Sequence, residues 1–180
     1  DSSLARICIW LYYWFLKCYL KMKLDAWQKE ILETKGNIVL CSGRQVGKST
    51  IIARKAGNFA ANNFKKSILI ISATERQAEE LFIKVHIYLQ DHYPNMIRMG
   101  KERPTKRTIK LKNNSIVRCL PTGMTGVGIR GFTIDMLIAD EAAFIPEEVW
   151  QAVTPMLLTT GGDIILVSTP HGATGYFWEC

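Results

Sequence analysis

Residues 42–49 read Ser-Gly-Arg-Gln-Val-Gly-Lys-Ser, and their types and spacing suit the binding of a phosphate group. They follow the pattern G-x-x-x-x-G-K-[ST], with Ser42 in place of the first glycine. The glycines would let the backbone wrap around a phosphate, and N–H groups at the start of a helix would point at its oxygens. Lys48 would place its charge on the β- and γ-phosphates, and the Ser49 hydroxyl would bind Mg²⁺. The pattern therefore predicts a nucleotide site formed by Ser42, Gly43, Arg44, Gln45, Val46, Gly47, Lys48, Ser49 and Thr50.

A second motif consists of two adjacent acids, Asp140 and Glu141, at the end of the apolar run 136–139. The carboxyl ends of parallel strands meet at one edge of a sheet, which would place these acids beside the phosphate loop. Asp140 would then hold Mg²⁺, and Glu141 would orient and deprotonate an attacking water. A glutamate beside the aspartate favours an ATP-driven machine over a GTPase switch.

Small hydroxyl residues follow the last apolar run, 163–167. Ser168 and Thr169, followed by Pro170, would lie at the same sheet edge as the acids. Hydroxyl groups at this position can reach the γ-phosphate region and transmit its loss to neighbouring elements. Ser168, Thr169 and Pro170 are therefore interpreted as a coupling motif.

Apolar runs and helical periodicity alternate along the chain and predict the elements that position these residues. Strands are expected at 37–42, 67–72, 136–139 and 163–167, and helices at 48–64, 75–93 and 146–158. The runs 108–111 and 115–120 flank two asparagines and predict a hairpin. Buried strands separated by helices indicate an α/β fold with a mostly parallel central sheet flanked by helices.

The chain is basic, with 23 Lys and Arg against 16 Asp and Glu and a net charge of +7. Between residues 98 and 118 there are eight basic residues and one acid. Such a cluster suits contacts with nucleic-acid phosphates, although a solvated surface is the alternative. The candidates for DNA contact are Lys101, Arg103, Lys106, Arg107, Lys110 and Lys112.

Two further features limit the interpretation. The five cysteines have no metal-ligand spacing, so we expect free thiols and no structural zinc. The apolar segment 7–20 is interrupted by Lys17 and is shorter than the roughly 17–25 residues of a membrane-spanning helix. We expect it to form a hydrophobic helix that packs on the domain, with no membrane as a partner.

Together these motifs resemble the ATPase domain of the large terminase subunit, the motor that packages DNA into viral heads. The resemblance covers about residues 24–178. Besides the phosphate loop, D-E-A-A-F and S-T-P, it includes W-Q-K-E-I-L (27–32), I-S-A-T-E-R-Q-A (71–78) and I-R-G (129–131). It implies a P-loop NTPase of the RecA-like, additional-strand (ASCE) type that hydrolyses ATP to move double-stranded DNA.

The resemblance also implies roles for individual residues. Trp27 and Gln28 match the adenine-binding motif, although a core position for Trp27 is an equal alternative. Arg44 resembles an arginine finger acting within its own subunit, and Arg130 one that reaches a neighbour's ATP in a ring. The sequence leaves open which arginine stabilises the charge of the transferred phosphoryl group. The implied partners are a portal protein, a small terminase subunit and other copies in a ring, in the cytoplasm of the infected host cell.

Residues 1–180 are expected to form a single ATPase domain, with an N-terminal hydrophobic helix at 1–23 and the P-loop core at 24–180. Large terminases usually continue into a nuclease domain, and the sequence offers no cluster of acids for that site. The alternative function is the first RecA-like domain of a superfamily 2 helicase or translocase. D-E-A-A-F lacks the third acid or histidine typical of those enzymes, and S-T-P replaces their usual S-A-T.

Overall fold

The computed structural model describes residues 24–121, 133–172 and 175–180. The N-terminal helix expected at 1–23 and the I-R-G segment with Arg130 lie outside these ranges. Within them, no helix combines the length and apolar character needed to cross a membrane. The helices are α1 (Ala26–Glu33), α2 (Lys48–Asn62), α3 (Glu75–His92), α4 (Glu147–Leu158) and α5 (Tyr176–Glu179). The strands are β1 (Ile38–Cys41), β2 (Ser67–Ser72), β3 (Thr108–Lys110), β4 (Ile116–Pro121), β5 (Met136–Asp140) and β6 (Asp163–Ser168).

The described strands form one sheet in the order β1-β6-β5-β2-β4-β3. Every pair is parallel except β3 with β4, which form the expected antiparallel hairpin. The predicted α/β class and mostly parallel sheet are therefore confirmed. Cys41 is in register with Ser168, and Asp140 is in register with Val167 and Ser72. This register brings the carboxyl ends of β1, β6, β5 and β2 to one edge of the sheet.

Alternate side chains of the central strands pack into two separate cores. Ile68 and Ile70 of β2 lie in the core formed with α2 and α3, whereas Leu69 and Ile71 lie in the core formed with α4. Each of these four side chains is buried. Because side chains alternate between the two faces of a strand, this pattern requires helices on both sides of the sheet.

The helix ends differ slightly from the sequence prediction, for local reasons. α2 ends at Asn62, before the expected residue 64, because the Asn113 amide caps its last carbonyls. α3 ends at His92 because the next residue, Tyr93, precedes Pro94, and helical geometry is unfavourable for a residue before proline. Pro146 is the N-cap residue of α4, so the helix proper begins at Glu147.

Candidate nucleotide site at the carboxyl edge of the sheet

The turn between β1 and α2 has the backbone geometry of an anion site. Gly47 adopts φ 88°, a left-handed conformation that costs glycine little, and it caps the N-terminus of α2. Gln45 also has a positive φ of 62°. In the described structure, the N–H groups of Gly47, Lys48 and Ser49 make no backbone hydrogen bond. Unpaired N–H groups at the positive end of a helix dipole attract phosphate.

Lys48 supplies the cation of this turn. Its ammonium group donates to the carbonyl oxygens of Ser42 and Gly43, at 2.6 and 2.8 Å, and its side chain is largely buried. The Ser42 hydroxyl is buried and has no hydrogen-bond partner among the described residues. An orphaned hydroxyl beside a buried ammonium group is a polar environment that suits an anionic ligand. Thr50, the last residue of the predicted set, is buried in the first turn of α2.

Asp140 joins the acidic strand to the phosphate loop. Its Oδ2 atom lies 3.5 Å from the Ser49 hydroxyl, which donates to it across 91 positions of sequence. Its Oδ1 atom accepts a hydrogen bond from the Glu141 N–H group at 3.1 Å. Burial, followed by the charge of Glu141, raises the pKa of Asp140, and the charges of Lys84 and Lys48 oppose that rise. The Ser49 hydroxyl and the Asp140 carboxylate lie side by side, and both offer oxygen atoms, the ligands that fit Mg²⁺.

Glu141 is held by the residues that follow β6. Its backbone is left-handed, with φ 50° and ψ 47°, a conformation uncommon for a residue other than glycine. Its Oε2 atom accepts hydrogen bonds from the Thr169 N–H group at 3.2 Å, the Thr169 hydroxyl at 3.1 Å and the Ser168 hydroxyl at 3.4 Å. The backbone and three donors together fix the direction of this carboxylate.

The S-T-P residues contact the acidic motif at further points. The Ser168 hydroxyl also accepts from the Ala143 N–H group at 3.3 Å, and the rings of Phe144 and His171 lie 4.1 Å apart. The Ser168 carbonyl accepts from the Ser42 N–H group at 3.2 Å. Pro170 is exposed and belongs to the same turn. β6 therefore touches both the phosphate loop and the acidic motif.

Trp27 and Gln28 lie on α1, which packs beside α2. Trp27 is half-buried and packs against the core formed by α2, α3 and the sheet. The Gln28 Oε1 atom accepts from the Asp25 N–H group at 3.2 Å at the start of α1.

The remaining site candidates differ in their surroundings. Arg44 is exposed in the phosphate loop. Arg107 is paired with Glu75 and Glu79, and Lys110 lies 3.0 Å from Glu102. These two cations are therefore partly neutralised. The other DNA-contact candidates are exposed and make no ion pair with any described residue: Lys101, Arg103, Lys106 and Lys112.

Sequence reasoning missed two lysines, Lys84 beside Asp140 and Lys55 at the end of α1. Lys84 of α3 is electrostatically linked to Asp140, and its pKa is lowered by burial while the charge of Asp140 opposes that shift. Lys55 of α2 donates to the last carbonyls of α1. Both residues lie on helices where lysine normally faces solvent, so no sequence signal separates them from surface lysines.

Known large terminase subunits are similar in sequence to this chain. The family profile described as "Terminase large subunit, T4likevirus-type, N-terminal" matches residues 39–179. The terminase large subunits of Thermus phage G20c and Thermus virus P23-45 are each 29% identical over 161 residues, covering 77% of this chain and 32% of theirs. The chain thus spans about a third of the length of these curated relatives.

Solved structures show the same fold. The large terminase ATPase domain of Thermus phage P74-26 has a TM-score of 0.75 and 28% identity, covering 89% of this chain and 70% of that one. A large terminase from a thermophilic bacteriophage, solved in complex with ADP, has a TM-score of 0.71 and 15% identity, covering 87% and 41%. At that identity the second likeness concerns the fold alone. The family match spans most of the chain, and the chain therefore belongs to the T4-like-virus-type family of large terminase subunits and corresponds to the N-terminal part of that family's proteins.

Proposed function

We propose that this chain is the ATPase domain of a DNA-packaging motor, which binds ATP with Mg²⁺ and hydrolyses it. The observation that carries the proposal is the bond from the Ser49 hydroxyl to Asp140, because it joins the phosphate loop to the acidic strand. Family membership and the likeness to the P74-26 ATPase domain support the same conclusion.

The residues divide the chemistry between them. The loop N–H groups and Lys48 would bind the phosphates, while Ser49 and Asp140 would hold Mg²⁺. The metal, when bound, neutralises charge on the β- and γ-phosphate oxygens. Glu141 accepts the proton of the attacking water, and its fixed carboxylate favours that transfer. Arg44 or Arg130 supplies positive charge to the transferred phosphoryl group.

Thr169 and Ser168 connect hydrolysis to movement in this proposal. Both donate to the Glu141 carboxylate, and the Ser168 backbone accepts from the phosphate loop. Displacement of Glu141 during the reaction would therefore move the turn that contains Pro170. Through this turn, hydrolysis of ATP would drive the movement of double-stranded DNA.

The whole motor requires partners beyond these residues. We propose that copies of the chain act in a ring in the host cytoplasm, with a portal protein and a small terminase subunit. Four exposed cations lie on the segment between α3 and β4 and make no ion pair with a described residue. They are the candidates for phosphate contacts with double-stranded DNA: Lys101, Arg103, Lys106 and Lys112. Arg107 and Lys110 are weaker candidates because carboxylates already neutralise them.

Steady-state ATP hydrolysis tests the proposal with two variants. Glu141→Gln keeps the shape of the side chain but cannot take a proton, so kcat should fall by about 10²–10⁴-fold with ATP affinity retained. Thr169→Val removes one hydroxyl donor to Glu141 and should lower kcat by roughly 10-fold with little change in KM. Thr159→Val is the matched control, because its hydroxyl bonds only the Met156 carbonyl among the described residues.

Turnover by Glu141→Gln equal to that of the wild type would overturn the assignment of the base. The same assay with duplex and single-stranded DNA separates the two candidate functions. Stimulation by duplex DNA is expected of a packaging motor. Stimulation by single strands, at a rate independent of protein concentration, would favour the helicase alternative.

A further inference from the structure

Lys55 makes a contact that the phosphate chemistry does not require. It lies on α2 seven residues after Lys48, close to two helical turns, so both lysines project from one face. Its ammonium group donates to the carbonyl oxygens of Thr34 at 2.5 Å, Ile31 at 3.0 Å and Leu32 at 3.4 Å. These carbonyls end α1, where a helix leaves its last acceptors unpaired.

The contact is charge-assisted and buried. A cation at the C-terminus of a helix is stabilised by the helix dipole, and its hydrogen bonds are stronger than neutral ones. Lys55 has only a small exposed fraction, 8%. Burial lowers its pKa, and the charge of Asp163 opposes that shift. A buried ammonium group costs free energy, which here is offset by three carbonyl partners.

Within the described part of the chain, α1 is only partly covered by its neighbours. It contains eight residues, too few to be stable alone, and none of them is buried. Trp27, Ile31 and Leu32 are only partly covered by the core. Lys55 therefore connects the end of α1 by three hydrogen bonds to the helix that begins at the phosphate loop.

We propose that Lys55 is a positioning residue for recognition of the nucleotide base. It sets the position of α1, and hence of Trp27 and Gln28, relative to Lys48 and the bound phosphates. This proposal rests on the proposed function and on the adenine-binding role that the family resemblance implies for Trp27 and Gln28. Lys55 itself touches neither the base nor the phosphates.

The test compares ATP with GTP, which differ in the base and share the triphosphate. In Lys55→Met, KM for ATP should rise about 10-fold because α1 loses its anchor. KM for GTP and both kcat values should change little. Lys55→Arg keeps the charge and the donors, and should restore most of the preference for ATP. If Lys55→Met does not fold, Lys55→Gln replaces it, since its amide is polar but carries no charge, and the same selective rise of KM for ATP is expected of it.

Asn113→Ala is the matched control. The Asn113 amide donates to three carbonyls at the other end of α2, those of Ala60, Ala61 and Asn63, without touching α1. It should destabilise the same helix and leave the ratio of the two KM values unchanged. An equal rise of KM for both nucleotides in Lys55→Met, or the same ratio as in Asn113→Ala, would overturn the positioning role.

The two proposals fail in different ways. If the wild type hydrolyses ATP and GTP with equal KM, the role of Lys55 in base recognition is wrong while the ATPase function stands. If the wild type hydrolyses neither, the proposed function is wrong. In that case the affinities for ATP and GTP are measured by calorimetry. The ratio of the two affinities then replaces the ratio of the two KM values in deciding the role of Lys55.

Discussion

At the amino edge of the sheet, polar groups find partners within the chain, whereas at the carboxyl edge several find none among the described residues. Asp135, before β5, accepts from the Lys66 ammonium group and the Ser67 N–H group, each at 2.8 Å. At the carboxyl edge, the Ser42 hydroxyl is unpaired in the described structure and the Asp140 carboxylate is buried beside another acid. A buried hydroxyl without a partner and a buried carboxylate beside a like charge both cost stability, so their presence at the carboxyl edge indicates a ligand site.

The two ends of α2 repeat the contrast. Its C-terminal carbonyls are closed by the Asn113 amide, and the Ser115 hydroxyl adds a bond to the Asn63 carbonyl at 2.7 Å. The N–H groups of its first two residues, Lys48 and Ser49, bond no backbone carbonyl of the described chain. The same helix is therefore anchored at one end and available to a ligand at the other. Substitutions at the amino edge should change stability alone, and those at the carboxyl edge should change the response to nucleotide.

Gly162→Ala should give the largest loss of stability at the amino edge. A Cβ atom there would lie 2.7 Å from the Asp135 carbonyl oxygen and 2.8 Å from that of Ile134, and backbone cannot easily move. We expect a loss of about 3 kcal/mol in the free energy of unfolding, measured in urea. The stabilisation of the folded chain by ATP should be unchanged.

Gly161→Ala is the matched control for that substitution. Its Cβ atom would meet open space, but its φ of 60° is unfavourable for alanine. It should cost roughly 1 kcal/mol. Equal losses of unfolding free energy in the two variants would show that the close approach to Asp135 does not cause the loss in Gly162→Ala.

Asn113→Ala should have the next largest effect. It leaves three carbonyls of α2 without their amide donor, and we expect a loss of about 2 kcal/mol in the free energy of unfolding. Lys112→Ala, one residue earlier and exposed, is the control and should change stability little. The separation of the two edges would be contradicted if Asn113→Ala lowered the ATP affinity by more than its loss of folded protein can explain.

Much of this arrangement could be predicted from the sequence, because it follows from local patterns. The glycines around Lys48 specify a loop, and the apolar runs before Asp140 and Ser168 specify buried strands whose ends share an edge. The bonds from Thr169 to Glu141 could not be predicted, since they depend on the left-handed backbone of Glu141 and the register of β5 with β6. The roles of Lys55 and Asn113 depend on helix ends that meet only in the folded chain.

Asp140, at the carboxyl edge, contrasts with Asp135 at the amino edge. Its pKa is raised, mainly by burial, so the folded chain holds a proton on it at a pH where the unfolded chain has lost it. The free energy of unfolding therefore falls as the pH rises from the unfolded pKa to the folded one, and stays lowered above it. Above the folded pKa, the ionised carboxylate destabilises the chain in the absence of a cation.

Urea unfolding of Asp140→Asn, with and without ATP and MgCl₂, tests the central claim most directly. Without ligand, the variant should be more stable than the wild type by about 1 kcal/mol, because asparagine removes the buried charge. It retains an oxygen that can accept the bond from the Glu141 N–H group. With ATP and MgCl₂, the wild type should gain stability and the variant should not. A variant that is less stable without ligand, or that gains as much from ATP and MgCl₂ as the wild type, would contradict this account.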